Sequence, residues 1–297
     1  MGFILTLVAS RKPLSAGHLA GIGRYCDLQG LGPQGDPVWQ VPHKAVDLLL
    51  INKPDKEQLI ALRDALVADR IDLFVTTTAQ RKRGPKKLLV ADMDATIVAG
   101  ETLDDIAEQA GIGEKVAAIT GRAMRGEMDF AAALRERVSL LAGQKATLLE
   151  SVLAASHLNE GAETLVTTMR KAGALCVLVS GGFTFFTEAI AARAGFNHHH
   201  GNVLGIKDGA LTGSVDSPIL DKDSKRAFLR QYTCDLEIDL ADTLAIGDGA
   251  NDLPMLEAAG IGIGYRPKPL LMESLDNVIL YGDLTAALYA QGLKPIL

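Results

Sequence analysis

The sequence predicts an α/β protein in which a doubly wound parallel sheet carries an inserted helical cap and follows a smaller α+β unit. The segments KKLLVA, ALCVLVS and DTLAIG are short and almost continuously apolar, as expected of strands that are covered on both faces. Helical patterns separate them. Far more chain lies between the first two than the dozen or so residues that a crossover needs. The excess, about residues 101–165, is therefore predicted to form a cap over the strand ends; two plain helices on the sheet face are the alternative.

Bulk composition limits the class of function. The chain has 297 residues, of which 48% are hydrophobic and 22% charged, as is typical of globular proteins. A net charge of −6 argues against a nucleic-acid-binding surface, and no stretch approaches the roughly 20 apolar residues that span a bilayer. The three cysteines lack ligand-like spacing, which favours a reducing cytosol. We therefore expect a cytoplasmic protein with neither nucleic-acid nor membrane partners.

Residues 1–80 are predicted to form the smaller unit. FILTLVAS indicates a strand, SAGHLAGIGRYCDL a helix capped by Ser15, VWQV and AVDLLLI two strands, DKEQLIALRDALVADR an amphipathic helix, and IDLFVTT a last strand. GLGPQGDP is predicted to be a loop. The order β-α-β-β-α-β indicates a ferredoxin-like layer of sheet and helices.

A polar, basic segment, TTTAQRKRGPKK, follows the smaller unit. We interpret residues 81–87 as a linker between two domains, of which the second spans residues 88–297. A nucleic-acid-binding patch is the alternative, but the segment contains no aromatic residues to support it.

Each apolar run of the second domain ends in polar or glycine-rich sequence: DMDAT, SGGF and GDGAND. In doubly wound sheets, ligands bind outside the carboxyl ends of the strands. The three segments are therefore expected to converge on one pocket.

The first strand end contains two acids, Asp92 and Asp94, separated by one residue. Neighbouring carboxylates repel, and burying either is costly unless it is paired or metal-bound. The third strand end supplies Asp248 and Asp252, and an oxygen-rich cluster of this kind suits Mg²⁺. A solvated turn and a glycine-rich helix cap remain the alternatives for the two segments taken singly.

Two further segments suggest an anion site. Ser180 and Gly181 lead from the second strand into a helix, and a hydroxyl with small-residue N–H groups can bind an anion there, although a tight turn would look the same. Lys225 lies at the start of a helix with Asp223 or Ser224 as its predicted cap. It is either a solvated surface lysine or a lysine directed at a phosphate.

Two residues of the predicted cap stand out. Arg137 lies on the apolar stripe of its helix, between Phe130 and Leu141, where a guanidinium needs an anion. A structural salt bridge and a bidentate substrate carboxylate are both compatible with it. Glu101 precedes the helix beginning near Thr102. It either favours that helix N-terminus or receives an ammonium group.

Together, DMDAT, SGG, Lys225 and GDGAND resemble the haloacid-dehalogenase-type phosphohydrolases, whose first motif reads D-x-D-x-T. Glu101, LRERVSLL, VSGGF, KDGALTG and GDGANDLPML extend the resemblance from about residue 85 onward, to the members that act on phosphoserine. Residues 1–80 are similar to ACT-like regulatory domains of bacterial members. Ala95 departs from the family, which often has Ser there, and we expect this to affect loop packing or fine positioning rather than the reaction, because neither acid is lost. His198–His200 match no family motif; they are expected in a surface loop, with a metal site as the alternative.

The resemblance implies hydrolysis of O-phospho-L-serine to L-serine and phosphate, the last step of serine biosynthesis. Asp92 would be the nucleophile that forms an aspartyl-phosphate, and Asp94 the general acid and base. Mg²⁺ would be held by Asp92, Asp248 and the carbonyl of Asp94, with Asp252 in support.

The remaining roles are implied in the same way. Ser180, Gly181 and Lys225 would bind the phosphoryl group, and Asn251 would position these groups. Glu101 would bind the substrate ammonium, and Arg137 its carboxylate. A phosphotransferase using another alcohol acceptor and a non-enzymatic serine sensor are the competing interpretations. A homodimer remains an option.

Overall fold

The structure, a computed structural model, describes residues 2–296. It begins with a four-stranded antiparallel sheet and two helices. In chain order these are β1 (Phe3–Ala9), α1 (Ala16–Leu28), β2 (Pro33–Val41), β3 (Ala45–Leu50), α2 (Lys56–Leu66) and β4 (Ile71–Thr77). The sheet order is β2-β3-β1-β4, so the predicted ferredoxin-like layer is confirmed. Ser15 caps α1, as predicted.

Both faces of this first sheet are covered, which explains why FILTLVA is apolar throughout. Leu5 and Leu7 point to the face that packs with α1 and α2. Val8 and Phe74, on the opposite face, belong to the large core of the second part of the chain.

The prediction of a loop over GLGPQGDP was wrong for residues 33–37, which belong to β2. The strand lies at the sheet edge, where proline is tolerated because its missing N–H is not needed. Its pairing with β3 shifts register between Gln34 and Val38. The irregular pairing tolerates the proline and glycine residues because of which this stretch resembles a loop.

The basic segment after β4 is held along its length. α3 (Thr78–Lys82) follows Thr77, whose side chain accepts a hydrogen bond from Gln80 N. Arg83 binds Asp239 and Asp242, both through 2.7 Å contacts. Lys86 is buried, and its Nζ donates to Ala241 O at 2.9 Å. The segment therefore joins the two parts of the chain by many contacts.

The second part alternates strands and helices around a six-stranded parallel sheet. Its elements are β5 (Leu88–Ala91), α4 (Thr102–Gln109), α5 (Gly113–Met124), α6 (Phe130–Ser139), α7 (Thr147–Ala155), α8 (Ala162–Lys171), β6 (Leu175–Phe183), α9 (Thr184–Ala194), β7 (His198–Asn202), β8 (Leu204–Lys207), β9 (Ala210–Val215), α10 (Lys222–Asp235), β10 (Thr243–Gly247), α11 (Leu253–Ala258), β11 (Ile261–Tyr265), α12 (Pro269–Ser274), β12 (Val278–Ile279) and α13 (Ala286–Ala290).

The sheet order is β12-β11-β10-β5-β6-β7, which confirms the predicted doubly wound fold. β5 lies between β10 and β6, and Ala91 is in register with Ile246 and Leu178. The segments that follow these three strands therefore leave the sheet at one edge. None of the helices within residues 2–296 has the length and apolar character needed to cross a membrane.

Helices α4–α7 fill the predicted cap region. α8 begins at Ala162 and packs against β6 and α9, so it belongs to the sheet layer and the cap helices end earlier than residue 165. The hairpin β8–β9, which the sequence analysis did not predict, packs against α6.

The expectation of a surface loop over His198–His200 was wrong, because these residues form most of β7. His199 Nδ1 lies 2.9 Å from Thr187 Oγ1. The His200 ring stacks on Phe228 with centroids 3.9 Å apart. The histidines therefore pack along the edge of the sheet.

The two sheets are joined by buried polar contacts. Asp72 Oδ1 accepts hydrogen bonds from Leu280 N (2.8 Å) and Tyr281 N (3.1 Å), and Oδ2 accepts one from Gly282 N (2.7 Å). Val75 N donates to Asn277 Oδ1 at 2.7 Å. Burial raises the pKa of Asp72, and the three N–H groups oppose this shift.

Candidate active site

Four segments meet at the carboxyl edge of the six-stranded sheet, and a buried lysine joins two of them. Lys225 Nζ lies 2.6 Å from Asp92 Oδ1, after β5, and 2.6 Å from Asp252 Oδ1, after β10. Lys225 is only 2% exposed. The surface-lysine interpretation is therefore wrong, because the side chain lies inside the site.

Asp92, Asp248 and Asp252 form a compact, buried acidic cluster. One carboxylate oxygen from each lies within 4.8 Å of the others. Three oxygen donors with no nitrogen or sulfur are the ligands that a hard divalent cation prefers. The ammonium groups of Lys225 and Lys268, which contact this cluster, balance only two of its three negative charges. The donor set therefore fits a divalent metal ion.

Asp252 also shapes the loop after β10. Its Oδ2 accepts hydrogen bonds from Asp248 N (3.1 Å) and Gly249 N (3.0 Å), while Oδ1 contacts Lys225. An added Cβ on Gly247 would overlap the Asp252 side chain. The glycine therefore permits the close approach that folds this acidic loop. Asn251 lies at its rim, with Oδ1 2.6 Å from where a Cβ on Gly249 would be.

Asp92 and Asp94 have different surroundings although one residue separates them. Burial raises the pKa of Asp92, the charge of Asp252 adds to this, and Lys225 opposes both. Burial raises the pKa of Asp94 to about 6, with a hydrogen bond from Thr102 N opposing and Glu101 contributing. Near neutral pH, Asp94 is therefore a carboxyl group that can both give and take a proton.

Ala95, where the family often has Ser, lies in the turn that carries Asp94. Ala95 adopts a left-handed conformation with φ 52°, and its N–H donates to Gly100 O at 2.8 Å. Both acids remain in the site.

The irregular end of β6 brings small residues close to both Asp94 and the cap. Ser180 Oγ donates to Asp94 Oδ2 at 3.2 Å and accepts from Gly182 N at 2.8 Å. A Cβ on Gly181 would lie 3.0 Å from Phe130 Cζ, and one on Gly182 would lie 2.9 Å from Asp94 Oδ2. Glycine at both positions leaves room for these neighbours.

The cap of α10 differs from the prediction. Asp221 is the N-cap, and its Oδ1 accepts from Asp223 N and Ser224 N, both at 3.0 Å. The predicted caps, Asp223 and Ser224, therefore lie within the first turn. Lys225 follows at the inner face of the same turn.

Lys268 is a charged group that the sequence analysis missed. Its Nζ lies 3.0 Å from both Asp248 Oδ2 and Glu101 Oε1. Burial acts against its charged form, but Glu101 and Asp248 raise the pKa of Lys268. The residue follows β11, so the strand-end rule, applied to IGIGYRPK, would have placed it at this edge.

Glu101 and Arg137 belong to the cap side. Glu101 is the N-cap of α4 but makes no capping hydrogen bond. Arg137 is half-buried on α6, with Nε donating to Ala133 O at 3.3 Å and Nη1 to Thr120 Oγ1 at 3.4 Å. Burial lowers the pKa of Arg137, and Asp104 and Glu101 oppose this shift. Within residues 2–296, no carboxylate lies within salt-bridge distance of the Arg137 guanidinium.

Comparison with known proteins indicates the same class of protein that the fold and the acidic site indicate. The family model of haloacid dehalogenase-like hydrolases matches residues 89–257. The chain belongs to this family.

Several of the similar proteins are named phosphoserine phosphatases. The one from Streptococcus thermophilus is 46% identical over 199 residues, which are 67% of this chain and 93% of the relative. The one from Streptomyces coelicolor is 36% identical over 252 residues, or 85% of this chain, and this chain spans only 61% of that relative's length. A solved phospho-aspartyl intermediate analogue of phosphoserine phosphatase is 38% identical, with a TM-score of 0.64, covering 69% of this chain and 98% of that chain.

Proposed function

We propose that the chain hydrolyses O-phospho-L-serine to L-serine and phosphate, with Mg²⁺, in the cytoplasm, as the last step of serine biosynthesis. The observation that carries the proposal is the pair of unlike acids. Asp92 lies 2.6 Å from the Lys225 ammonium, which opposes the rise that burial causes in the pKa of Asp92. Asp94, whose pKa burial raises to about 6, instead accepts hydrogen bonds from Ser180 Oγ and Thr102 N. Two carboxyl groups in such different environments can serve as nucleophile and proton donor. Similarity to phosphoserine phosphatases supports the choice of substrate.

The first step transfers the phosphoryl group to the protein. A carboxylate oxygen of Asp92 attacks phosphorus as the bond to the serine oxygen breaks, and Asp94 gives that oxygen its proton. The products are an aspartyl-phosphate at Asp92 and serine. In the second step, water attacks phosphorus and loses a proton to Asp94. Phosphate leaves, and both acids return to their first state.

The charge of the transferred group is spread over fixed donors. Lys225, the Ser180 hydroxyl and the Gly181 N–H would hold the phosphoryl oxygens, and Asn251 would position them. Asp92, Asp248 and the Asp94 carbonyl would hold Mg²⁺, supported by Asp252. A bound Mg²⁺ supplies positive charge that stabilises the phosphoryl oxygens.

The amino-acid end of the substrate would bind at the cap. The guanidinium of Arg137 suits a carboxylate, and the lack of a salt bridge within residues 2–296 favours this over a structural role. Glu101 would receive the ammonium. A substrate bearing both charges therefore fits better than one bearing either alone.

A substrate panel tests this function. Phosphate release with Mg²⁺ should be faster from phosphoserine than from phosphoethanolamine or phosphoglycolate, which each lack one charged group. Asp92→Asn should abolish turnover and leave the protein folded. Equal rates on all three esters would contradict the zwitterion receptor, and a normal rate for Asp92→Asn would contradict the covalent step. Adding alcohol acceptors would reveal phosphotransfer.

A pair of arginine variants tests the cap. Arg137→Ala should raise the KM for phosphoserine by about 10- to 100-fold, as expected for losing a charged hydrogen-bond donor. Arg135→Ala is the matched control, because Arg135 is exposed on the same helix and should leave KM unchanged. Equal effects from the two variants would contradict the role given to Arg137.

A further inference from the structure

Asn202 ends β7 beneath the turn that carries Ser180. It is 2% exposed, and its amide makes two hydrogen bonds. Nδ2 donates to Gly181 O at 2.7 Å, and Oδ1 accepts from Leu220 N at 2.8 Å. Along β6 and β7 the register moves from Val179 paired with His200 to Phe183 paired with Asn202. The extra residues of β6 form the Ser180 turn, and the Asn202 amide supports it.

The first hydrogen bond orients the peptide between Gly181 and Gly182. A planar trans peptide points its C=O and N–H in opposite directions. With Gly181 O held by Asn202, the N–H of Gly182 points away from Asn202 and donates to Ser180 Oγ at 2.8 Å. The Ser180 hydroxyl in turn donates to Asp94 Oδ2 at 3.2 Å. A continuous path of hydrogen bonds and one peptide plane therefore links Asn202 to Asp94.

The second hydrogen bond holds the start of α10. Leu220 immediately precedes Asp221, the N-cap whose carboxylate closes the first turn of that helix. Lys225 follows in the same helix, with Nζ 2.6 Å from Asp92 Oδ1. A shift of the Leu220 backbone would therefore move the helix end that carries the buried ammonium.

We propose that Asn202 is a positioning residue for phosphoryl transfer, which holds the Ser180 turn and the Lys225 helix at a fixed separation. The proposal rests on the proposed function of the site. An amide suits this position because one neighbour needs a donor and the other an acceptor. Aspartate would direct a carboxylate at Gly181 O, and leucine would leave a buried C=O and a buried N–H without partners.

Close packing around Asn202 supports the proposal. A Cβ on the preceding Gly201 would lie 3.1 Å from both Gly182 O and Thr184 N. A Cβ on Gly181 would lie 3.9 Å from Leu220 O. The three backbone segments are therefore in near contact, so a displacement of one must be taken up by the others.

The test compares Asn202→Leu and Asn202→Asp with the wild-type chain. Rates on phosphoserine and on p-nitrophenyl phosphate are normalised to the folded fraction. We expect kcat to fall by about 10- to 100-fold on both esters, since small displacements of reacting groups cost this much. KM should rise to a similar extent on both esters, because the phosphoryl subsite is displaced while the proposed receptors for the amino-acid end lie on the cap. Asn202→Asp should displace Lys225 less than Asn202→Leu does, since the aspartate keeps an acceptor for Leu220 N.

Asn277→Ala is the matched control. Asn277 is also buried and accepts a hydrogen bond from a backbone N–H, that of Val75, at 2.7 Å, but it lies at the junction of the two sheets. This variant should lower Tm and leave kcat per folded molecule unchanged. If Asn202→Leu behaves in the same way, with kcat within twofold of wild type, Asn202 has a structural role only and the proposal is wrong.

Binding of inorganic phosphate distinguishes a failure of this proposal from a failure of the proposed function. This binding in the presence of Mg²⁺, measured by calorimetry, should weaken at least tenfold in Asn202→Leu, or in Asn202→Asp if the leucine variant does not fold. A wild-type chain that binds phosphate but hydrolyses neither ester contradicts the proposed function and leaves this binding comparison as the test of Asn202. Equal phosphate binding by the variant and wild type, or none by either, overturns the positioning role.

Discussion

Asp72 offers a direct test of how the two sheets depend on each other. This side chain comes from β4 of the first sheet, but its three hydrogen-bond donors, Leu280 N, Tyr281 N and Gly282 N, follow β12 of the second. Asp72→Ala removes the acceptor for all three and adds no bulk. The hydrogen-bond partners of Asp72 lie at the junction of the two sheets, so the substitution should act on stability.

The expected loss follows from the burial of each donor. An unsatisfied buried N–H costs about 1–3 kcal/mol. The contact with Gly282 N is fully buried, so we assign it about 2 kcal/mol. The contacts with Leu280 N and Tyr281 N are partly buried, so water can replace the carboxylate, and we assign each about 0.5 kcal/mol. Unfolding free energy should therefore fall by about 3 kcal/mol.

Urea unfolding followed by circular dichroism measures this loss. With a slope of about 3 kcal/mol per molar urea, the midpoint should move by about 1 M. Asp36→Ala, an exposed change in β2, is the control and should stay within about 0.5 kcal/mol of wild type. A loss below 1 kcal/mol for Asp72→Ala would refute the reasoning, because the junction would then contribute little.

Three further predictions concern charge. Lys225→Met should lower kcat by at least about 100-fold, as expected when a charge-stabilising donor is lost, whereas exposed Lys222→Met should not; similar rates would contradict the role of Lys225. Chelation should abolish activity and lower Tm, and Mg²⁺ should restore both, with about 2.7 kcal/mol of stabilisation at 100 times Kd; activity unaffected by chelator would exclude the metal requirement. Hydrogen bonds from Arg83 lower the pKa of Asp242, so this pair stabilises the fold above the ordinary carboxyl pKa of about 3.9 and loses its effect as pH falls through the lowered pKa. The Tm difference between wild type and Arg83→Ala should therefore narrow in acid; a difference independent of pH would contradict the linkage.

The site could be predicted where chemistry and strand position coincide. Asp92, Ser180 and Asp248 each follow an apolar run, and parallel strands carry such residues to one edge. Lys225 lies on a helix, so its distance from Asp92 could not be read from strand order. Its inclusion depended on the resemblance, and the structure brings its Nζ within 2.6 Å of Asp92.

Other features could not be predicted from the sequence because they depend on tertiary contacts. Lys268 reaches Asp248 from a loop whose own sequence contains no acid to pair with it. Asn202 follows three histidines and a glycine, a polar composition that hides an edge strand. β2 contains two prolines and a glycine, and only its place at the sheet edge makes such a strand possible.

The ion pair between Glu101 and Lys268 changes the electrostatic energy that an incoming amino group can gain by binding to Glu101. Glu101 already has a counter-ion, so a substrate ammonium that binds there exchanges one cation for another. Both side chains of the existing pair are roughly half exposed, and exposed pairs of this kind contribute little. The net Coulomb gain is then the small difference between two similar contacts. Selection for an amino group would therefore depend on fit more than on attraction, and affinity would vary little with ionic strength.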